Sequence, residues 1–277
     1  MGTKPDLADV IYHTKKDTLA IIPDRGRAER FIGNLMDVLF GQGCAKSSSL
    51  ILDCISGIRL ELCSLLKVCC STNDPGAEKL ADRFFEQLLP VYHLLLEDAA
   101  FIESSDPAAR SRDEVIITYP GFYAIAVHRF AHELFKLKIP YLPRLIAEHA
   151  HSRTSIDIHP GATIGSPIAI DHGTGVVIGE TAIIGKNVRI YQGVTLGALL
   201  VLKSGMNQKR HPNIEDNTVL YAGCTILGGN TVVGHHSTIG GNVWLTSSVA
   251  PYSVVYNTSI IKIRNQSTGE DPIEYMI

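Results

Sequence analysis

The sequence lacks any long apolar run that is free of charge. Its most apolar stretch, residues 49–70, contains Asp53, Arg59, Glu61 and Lys67, whereas a helix that spans a bilayer needs about 20 mostly apolar residues. The uninterrupted apolar segment of a secretory signal peptide is also missing from the charged N-terminal end. We therefore expect a cytoplasmic protein with no membrane-spanning helix.

A large excess of charge of one sign is missing as well. The chain has 25 Lys and Arg against 28 Asp and Glu, a formal net charge of -3 at pH 7. This balance gives no electrostatic basis for binding nucleic acid or an anionic membrane surface. The six cysteines lack the paired spacing of a metal site, and in a cytoplasmic protein we expect them to be reduced thiols.

Glycine is scarce in the first half of the chain and abundant in the second. Of the 24 glycines, 15 lie in residues 156–250 and 8 in residues 1–155. The first half instead repeats apolar residues at helical spacing, which predicts an α-helical domain over residues 1–155 whose apolar stripes pack on each other or on another subunit. The predicted helices are Arg25–Phe40, Ser48–Cys69, Gly76–Glu103, Pro120–Leu137 and Pro140–Arg153.

The second half contains an internal repeat of six residues. Aliphatic residues recur at this period, often followed by glycine; they are Ile158, Ile164, Ile170, Ile178, Ile184, Ile190, Leu196, Ile214, Leu220, Ile226, Val233, Ile239 and Leu245. A period of six is neither that of a helix nor that of a simple strand. It fits short parallel strands joined by tight corners, with one aliphatic side chain pointing inward per face. The sequence therefore predicts an α+β protein with a parallel β-helix over residues 156–262 and a flexible C-terminal tail over residues 263–277.

Three interruptions of the repeat predict where a binding face forms. Eight residues separate Ile170 from Ile178, so two extra residues bulge out around His172. The stretch 198–210 ignores the repeat and is predicted to leave the β-helix as an excursion loop, and a one-residue slip follows Ile226. Repeat proteins place such insertions at corners, where they often form the binding surface.

A possible catalytic pair lies near the first interruption. Asp157 precedes His172 by 15 residues, close to one coil of about 18 residues in three faces. A carboxylate that accepts a hydrogen bond from one imidazole nitrogen fixes the tautomer and leaves the other nitrogen as a base. The spacing also allows Asp157 to cap a turn while His172 only occupies a corner.

Several motifs resemble those of the serine O-acetyltransferase family. They are the segments Asp157–Ala162, Asp171–Ala182, Val194–Gly197 and Lys209–Pro212, and upstream Asp106-Pro107-Ala108. The resemblance implies a left-handed β-helix that transfers acetyl from acetyl-CoA to the hydroxyl of L-serine, the first step of cysteine biosynthesis from serine. It also implies feedback inhibition by L-cysteine and no need for a metal or prosthetic group.

The resemblance implies roles for individual residues. His172 would be the general base and Asp157 would orient it. The implied serine-binding groups are complementary in charge to the substrate, with two acids for its ammonium and a guanidinium for its carboxylate. They are Asp106, Asp171, Arg210 and the neighbouring His211.

For the coenzyme, the resemblance implies a groove between neighbouring β-helices. Its contacts would fall at Ala222, Gly223, Gly240 and Gly241. We therefore expect an active site shared between subunits of a homotrimer, with the N-terminal helices pairing two trimers into a hexamer. The family's usual Gly-Val-Pro-Ala-Arg ending is absent, and Lys262 is expected to supply positive charge for the nucleotide phosphates.

The C-terminal end, Ile277, resembles the family tail that enters the active site of O-acetylserine sulfhydrylase. A terminal carboxylate beside an apolar side chain can be captured as a short extended ligand, although a frayed terminus would have the same sequence.

Three alternatives remain open at this level. A β-helix acetyltransferase could instead act on homoserine or a sugar, or the chain could be a non-catalytic scaffold. A zinc enzyme with three histidines across a subunit interface would use His211, His235 and His236. Adjacent imidazoles on a strand point to opposite sides, which argues against that site.

Overall fold

The structure, a computed structural model, describes residues 6–16, 22–41, 47–70, 76–199 and 208–258. These residues form a helical part followed by a parallel β-helix. The helices are α1 (Leu7–Lys16), α2 (Arg25–Phe40), α3 (Ser48–Cys69), α4 (Ala77–Glu86), α5 (Leu88–Ser105), α6 (Arg112–Thr118), α7 (Pro120–Lys136) and α8 (Leu142–Thr154).

The helix predictions are confirmed for α2 and α3 and, within one or two residues at the ends, for α7 and α8. The prediction of a single helix over Gly76–Glu103 is wrong, because an interruption at Gln87 separates α4 from α5. The N–H of Gln87 donates to the carbonyl of Phe84 at 3.0 Å. Helices α1 and α6 were not predicted. Helix α6 is only seven residues long and begins where the hydroxyl of Ser111 caps the N–H of Glu114.

Helix α3 contains the most apolar stretch of the chain, and its side chains Leu62, Leu65 and Leu66 are buried in the core. Within the described residues, no helix has the length and apolar character needed to cross a membrane.

Two cysteines of helix α3 differ in oxidation state. Cys63 is a buried free thiol, but Cys54 is disulfide-bonded. The expectation that all six thiols are reduced is therefore wrong at that position.

Fourteen short strands in the described residues form three parallel sheets. The first sheet contains β1 (Asp157–Ile158), β4 (Val177–Ile178), β7 (Thr195–Gly197), β10 (Thr225–Leu227) and β13 (Trp244–Leu245). The second contains β2 (Thr163–Ile164), β5 (Ile183–Ile184), β8 (Asn213–Ile214) and β11 (Val232–Val233). The third contains β3 (Ile168–Ile170), β6 (Val188–Ile190), β9 (Val219–Leu220), β12 (Thr238–Ile239) and β14 (Val254–Val255).

The strand register confirms the predicted interruptions. Asp157 pairs with Val177, 20 residues later, and Val177 with Thr195, 18 residues later. The next coil takes 30 residues to reach Thr225, and the following one takes 19 to reach Trp244. A coil of three hexapeptides has about 18 residues. The four coils therefore contain, in order, the two-residue bulge, no insertion, the excursion loop and the one-residue slip.

The core of the β-helix consists of the predicted repeat positions. Eleven of the thirteen aliphatic residues are buried, while Ile164 and Leu245 are partly buried against the same core. Small residues occupy another inward position, where Ala162, Ala182 and Cys224 are buried. The burial of each of these aliphatic side chains contributes roughly 1.5–3 kcal/mol to the free energy of unfolding, because apolar surface is removed from water.

A buried ion pair joins the helical part to the first coil. Arg129 on α7 donates to Asp98 on α5 at 2.7 and 3.0 Å, and the N–H of Ile168 donates to the same carboxylate at 3.0 Å. Arg129 also donates to the carbonyls of Ile164 and Gly165. This network places the end of α5, and with it the loop before α6, against the third sheet.

Candidate active site

The general base predicted from the sequence lies at the corner between the third and first sheets, here called the His172 corner. It comprises residues 171–176, 191–194, 221–224 and 240–243. His172 has a positive φ of 56°, and its ring is exposed, with Nδ1 3.9 Å from Oδ1 of Asp171. Asp157 begins β1 on the preceding coil, directly beside this corner, and its N–H donates to the carbonyl of Val176 at 2.9 Å. The bulge therefore presents the imidazole to solvent.

The predicted contact between Asp157 and His172 is not formed within the chain. Both residues are described, and no hydrogen bond or ion pair joins them. The carboxylate of Asp157 lies instead 3.9 Å from Nη2 of Arg144 on α8. The pairing of the two side chains thus stays a prediction.

The helical part brings Asp106 to the His172 corner. The hydroxyl of Tyr119 donates to Oδ2 of Asp106 at 2.6 Å, and the N–H of Ala108 donates to Oδ1 at 2.8 Å. These hydrogen bonds and the nearby imidazole of His172 lower the pKa of Asp106. The small pocket between these groups is lined by Asp106, Asp171, Arg189 and Tyr191, among others. The structure therefore brings together three of the predicted site residues, Asp106, Asp171 and His172.

The residues predicted to bind the coenzyme lie on successive coils of the same corner. Gly223 has a positive φ of 72°, and a Cβ at this position would overlap Oδ1 of Asn242. The N–H of Asn242 donates to the carbonyl of Ala222 at 2.9 Å, which stacks the last two coils directly. Gly240 and Gly241 immediately precede Asn242. Gly175, Gly193 and Gly223 stack on one another at this corner, and with Gly240 and Gly241 they form a ridge of small residues beside His172.

Two stacked aromatic rings flank this ridge. The rings of Tyr191 and Tyr221 lie 5.1 Å apart with an interplanar angle of 2°. They follow the third sheet on consecutive coils, so they stand beside the ridge over about two coils.

Arg210 and His211 lie at a different corner, between the first and second sheets, here called the His211 corner. It comprises residues 159–162, 179–182, 208–212 and 228–231. The hydroxyl of Thr181 accepts the N–H groups of Arg210 and His211 at 2.9 and 3.0 Å, while Glu180 pairs with the guanidinium of Arg210. Burial and neighbouring cations lower the pKa of His211 to about 4. A Cβ at Gly179 would overlap the imidazole of His211, so only glycine leaves space for this ring.

Strand β4 separates the two corners within one chain. Asp171 and His172 precede this strand, while Glu180 and Thr181 follow it. The predicted serine-binding residues therefore form two groups, one beside the N-terminal ends of the strands of the first sheet and the other beside their C-terminal ends.

The three histidines of the zinc alternative do not assemble in this chain. His235 and His236 lie at the third corner, with Nδ1 atoms 2.9 Å apart, so the expectation that the adjacent imidazoles point to opposite sides is wrong. The backbone turns at His236, which has a positive φ of 58°, and both rings therefore face the same space. His211 lies at a different corner, and this separates it from the pair.

The sequence interpretation missed two residues that organise the site. Thr181 lies inside a motif that carried the family resemblance, so its position was available but its role was not. Tyr119 precedes Pro120 at the start of α7 and had no motif to mark it. Lys262, Ile277, and residues 200–207 of the excursion loop lie outside the described residues.

The chain is similar in sequence to serine acetyltransferases of several bacteria. A protein of Synechococcus elongatus, "Serine acetyltransferase, plasmid", is 50% identical over 198 residues, which are 70% of this chain and 62% of that relative, less than two thirds of its length. The serine acetyltransferase of Bacillus subtilis is 48% identical over 164 residues, 59% of this chain and 73% of that protein. The chain belongs to the serine acetyltransferase family.

The serine acetyltransferase fold is shared as well. The crystal structure of Entamoeba histolytica serine acetyltransferase 1 in complex with L-cysteine has a TM-score of 0.73 and 33% sequence identity, covering 88% of this chain and 94% of that chain. A helical part followed by a parallel β-helix is thus confirmed as the fold class. No family model matches the chain.

Proposed function

We propose that the protein transfers the acetyl group of acetyl-CoA to the hydroxyl of L-serine, giving O-acetyl-L-serine and CoA. The observation that carries this proposal is the grouping of Asp106, Asp171 and His172 at one corner. Two carboxylates beside an imidazole suit a substrate that carries an ammonium group next to a hydroxyl. Membership of the serine acetyltransferase family supports the same substrate.

In the proposed mechanism, His172 removes the proton of the serine hydroxyl. The oxygen attacks the carbonyl carbon of the thioester directly, and a tetrahedral oxyanion forms. Its collapse breaks the carbon–sulfur bond, and the CoA thiolate takes the proton from the imidazolium of His172. Asp157 stabilises that imidazolium once its side chain turns from Arg144 toward the ring.

The coenzyme would lie along the ridge of the His172 corner. Ala222, Gly223, Gly240 and Gly241 have little or no side chain, so an extended pantetheine arm can approach their backbone closely. Lys262, which follows the last described coil, would bind the nucleotide phosphates. Acetyl-CoA is a co-substrate here, and the proposed steps require no metal or prosthetic group.

A neighbouring subunit would complete the site. Arg210 and His211 would bind the serine carboxylate, but β4 separates them from His172 in the same chain. A cyclic homotrimer can place the His211 corner of one subunit beside the His172 corner of the next. The helical part would pair two such trimers into a hexamer.

The proposed function includes inhibition by L-cysteine, whose charged groups match those of the substrate. L-cysteine carries the same ammonium and carboxylate as L-serine, and it is bound in the Entamoeba histolytica structure. We therefore propose that it inhibits this enzyme by occupying the serine site.

The enzyme would act in the cytoplasm and would associate with O-acetylserine sulfhydrylase through the tail that ends at Ile277. Deletion of Ile277 should abolish this association. Unchanged binding after the deletion would refute the role of the tail.

The proposed activity is tested by measuring thiol release from acetyl-CoA with L-serine, L-homoserine and a panel of sugars. We expect turnover with serine, and a loss of about 100-fold or more in His172→Ala, since general-base catalysis typically contributes that much. Preferred turnover of homoserine or a sugar would assign a different acceptor. Full activity of His172→Ala would contradict the mechanism.

A further inference from the structure

Tyr119 lies at the junction of α6 and α7, where the chain turns toward the His172 corner. Pro120 begins α7 directly after it, which fixes the backbone at this junction. The ring is half-buried, and its hydroxyl donates to Oδ2 of Asp106 at 2.6 Å. This is a short hydrogen bond to a carboxylate, a class of interaction stronger than one between neutral groups.

The other oxygen of Asp106 is also held. The N–H of Ala108 donates to Oδ1 at 2.8 Å, so the two donors define the plane of the carboxylate. The hydrogen bond to Asp106 raises the pKa of Tyr119 to about 12. The phenol is therefore a protonated donor at any pH at which the enzyme would work.

The surroundings of Asp106 explain why it needs such support. Asp171 and Tyr191 face it from the His172 corner, and Arg189 from β6. Before the substrate ammonium arrives, two like-charged carboxylates line one pocket, where the hydrogen bonds from Tyr119 and Ala108 stabilise the charge of Asp106. A carboxylate that already accepts two hydrogen bonds pays less to remain charged and oriented.

We propose that Tyr119 is a positioning residue for the substrate amine, because it holds the Asp106 carboxylate ionised and aimed at the ammonium of the amino-acid substrate. This inference rests on the proposed function. Tyr119 acts through Asp106 and does not touch the reacting atoms. It therefore affects how tightly the amino acid binds and leaves the chemical step unchanged.

The test is Tyr119→Phe, which keeps the ring and removes only the hydroxyl. We expect KM for L-serine to rise about tenfold, as for loss of a hydrogen bond to a charged group. KM for acetyl-CoA and kcat should stay within about twofold, since interactions that serve binding alone change KM and not kcat. The inhibition constant of L-cysteine should rise in parallel with KM for serine. Tyr92→Phe, another half-buried tyrosine of the helical part, is the matched control and should change none of these values.

A double-mutant cycle with Asp106→Asn shows whether Tyr119 acts through that carboxylate. In the Asp106→Asn background, Tyr119→Phe should have no further effect on KM for serine. Additive effects, a fall in kcat at unchanged KM, or wild-type constants in Tyr119→Phe would each overturn the inference. Absence of serine turnover by the wild-type enzyme would instead refute the proposed function, so the two failures are distinguishable.

Discussion

Nδ1 of His211 accepts the backbone N–H of Thr181 at 3.0 Å, and this fixes the tautomer of the ring. A nitrogen that accepts a backbone N–H carries no proton, so the proton is on Nε2. The Thr181 hydroxyl lies 2.9 Å from the same nitrogen. Because burial lowers the pKa of His211 to about 4, the ring is neutral near pH 7 and offers a single donor. His211 is therefore suited to bind a substrate oxygen, and the role of base is left to His172.

The Thr181 hydroxyl is the first target for mutation. Thr181→Val keeps the shape of the side chain but leaves the N–H groups of Arg210 and His211 without their acceptor. Losing this support should lower kcat/KM for serine by about tenfold, equivalent to roughly 1.4 kcal/mol. Steady-state kinetics with Thr181→Ser, which retains the hydroxyl, provide the control and should stay within about threefold of wild type. Wild-type kinetics for Thr181→Val would show that the hydroxyl does not organise the site.

Gly179 should tolerate no side chain. A Cβ there would overlap the imidazole of His211, so Gly179→Ala should displace the ring and lower serine turnover by about tenfold or more. The matched control is Gly57→Ala on α3, where a Cβ would meet nothing within 4 Å. That variant should retain full activity and gain about 0.5–1 kcal/mol in unfolding free energy from its higher helix propensity. Equal activities of the two variants would contradict the close packing of His211.

The Asp98–Arg129 pair should dominate the stability of the joint between the helical part and the β-helix. Arg129→Met leaves the fully buried carboxylate of Asp98 without its cation, which should cost about 3–5 kcal/mol. Arg25→Met, the same substitution at the exposed partner of the surface pair with Glu29, should cost about 0–1 kcal/mol. Urea unfolding of both variants measures the difference. Similar midpoints would mean that the buried pair contributes no more than a surface pair.

Two buried histidines should make stability depend on pH. Burial lowers the pKa of His128 well below its usual value and that of His211 to about 4. The unfolded chain therefore binds more protons than the folded one when the pH falls below about 6.5. Stability should be complete above that pH and decline as the pH falls toward about 4. Urea unfolding midpoints should be measured between about pH 7.5 and 5, a range that lies above the pKa values of most carboxylates. A midpoint that stays constant over this range would be inconsistent with neutral buried imidazoles.

The sequence predicted the periodic features better than the contacts that complete the site. The hexapeptide period and its interruptions placed His172 and the excursion loop correctly, because every coil must keep its aliphatic residues inside. The break at Gln87 was missed, since the apolar stripe continues through it. The hydrogen bond between Tyr119 and Asp106 was also missed, because it depends on how α6 folds back on α5. Periodicity alone contains no information about that turn.

The His211 contacts show the same limit at longer range. Thr181 and His211 are 30 residues apart and meet because β8 pairs with β5, which brings the residues just before these two strands together. The sequence marked both ends of the loop as important. It could not show that the imidazole is buried, neutral and on the opposite edge of the first sheet from His172.

The proposed requirement for acetyl transfer to serine is the pairing of the His172 corner of one subunit with the His211 corner of its neighbour. It is tested most directly by mixing two inactive variants, His172→Ala and Arg210→Ala, in one trimer. Random assembly of equal amounts leaves about a quarter of the shared sites intact, so serine acetylation should recover to about a quarter of the wild-type rate. A mixture of His172→Ala with Asp171→Ala, two changes in the same half-site, should recover none. Inactivity of the first mixture, despite verified mixed trimers, would contradict a site shared between subunits.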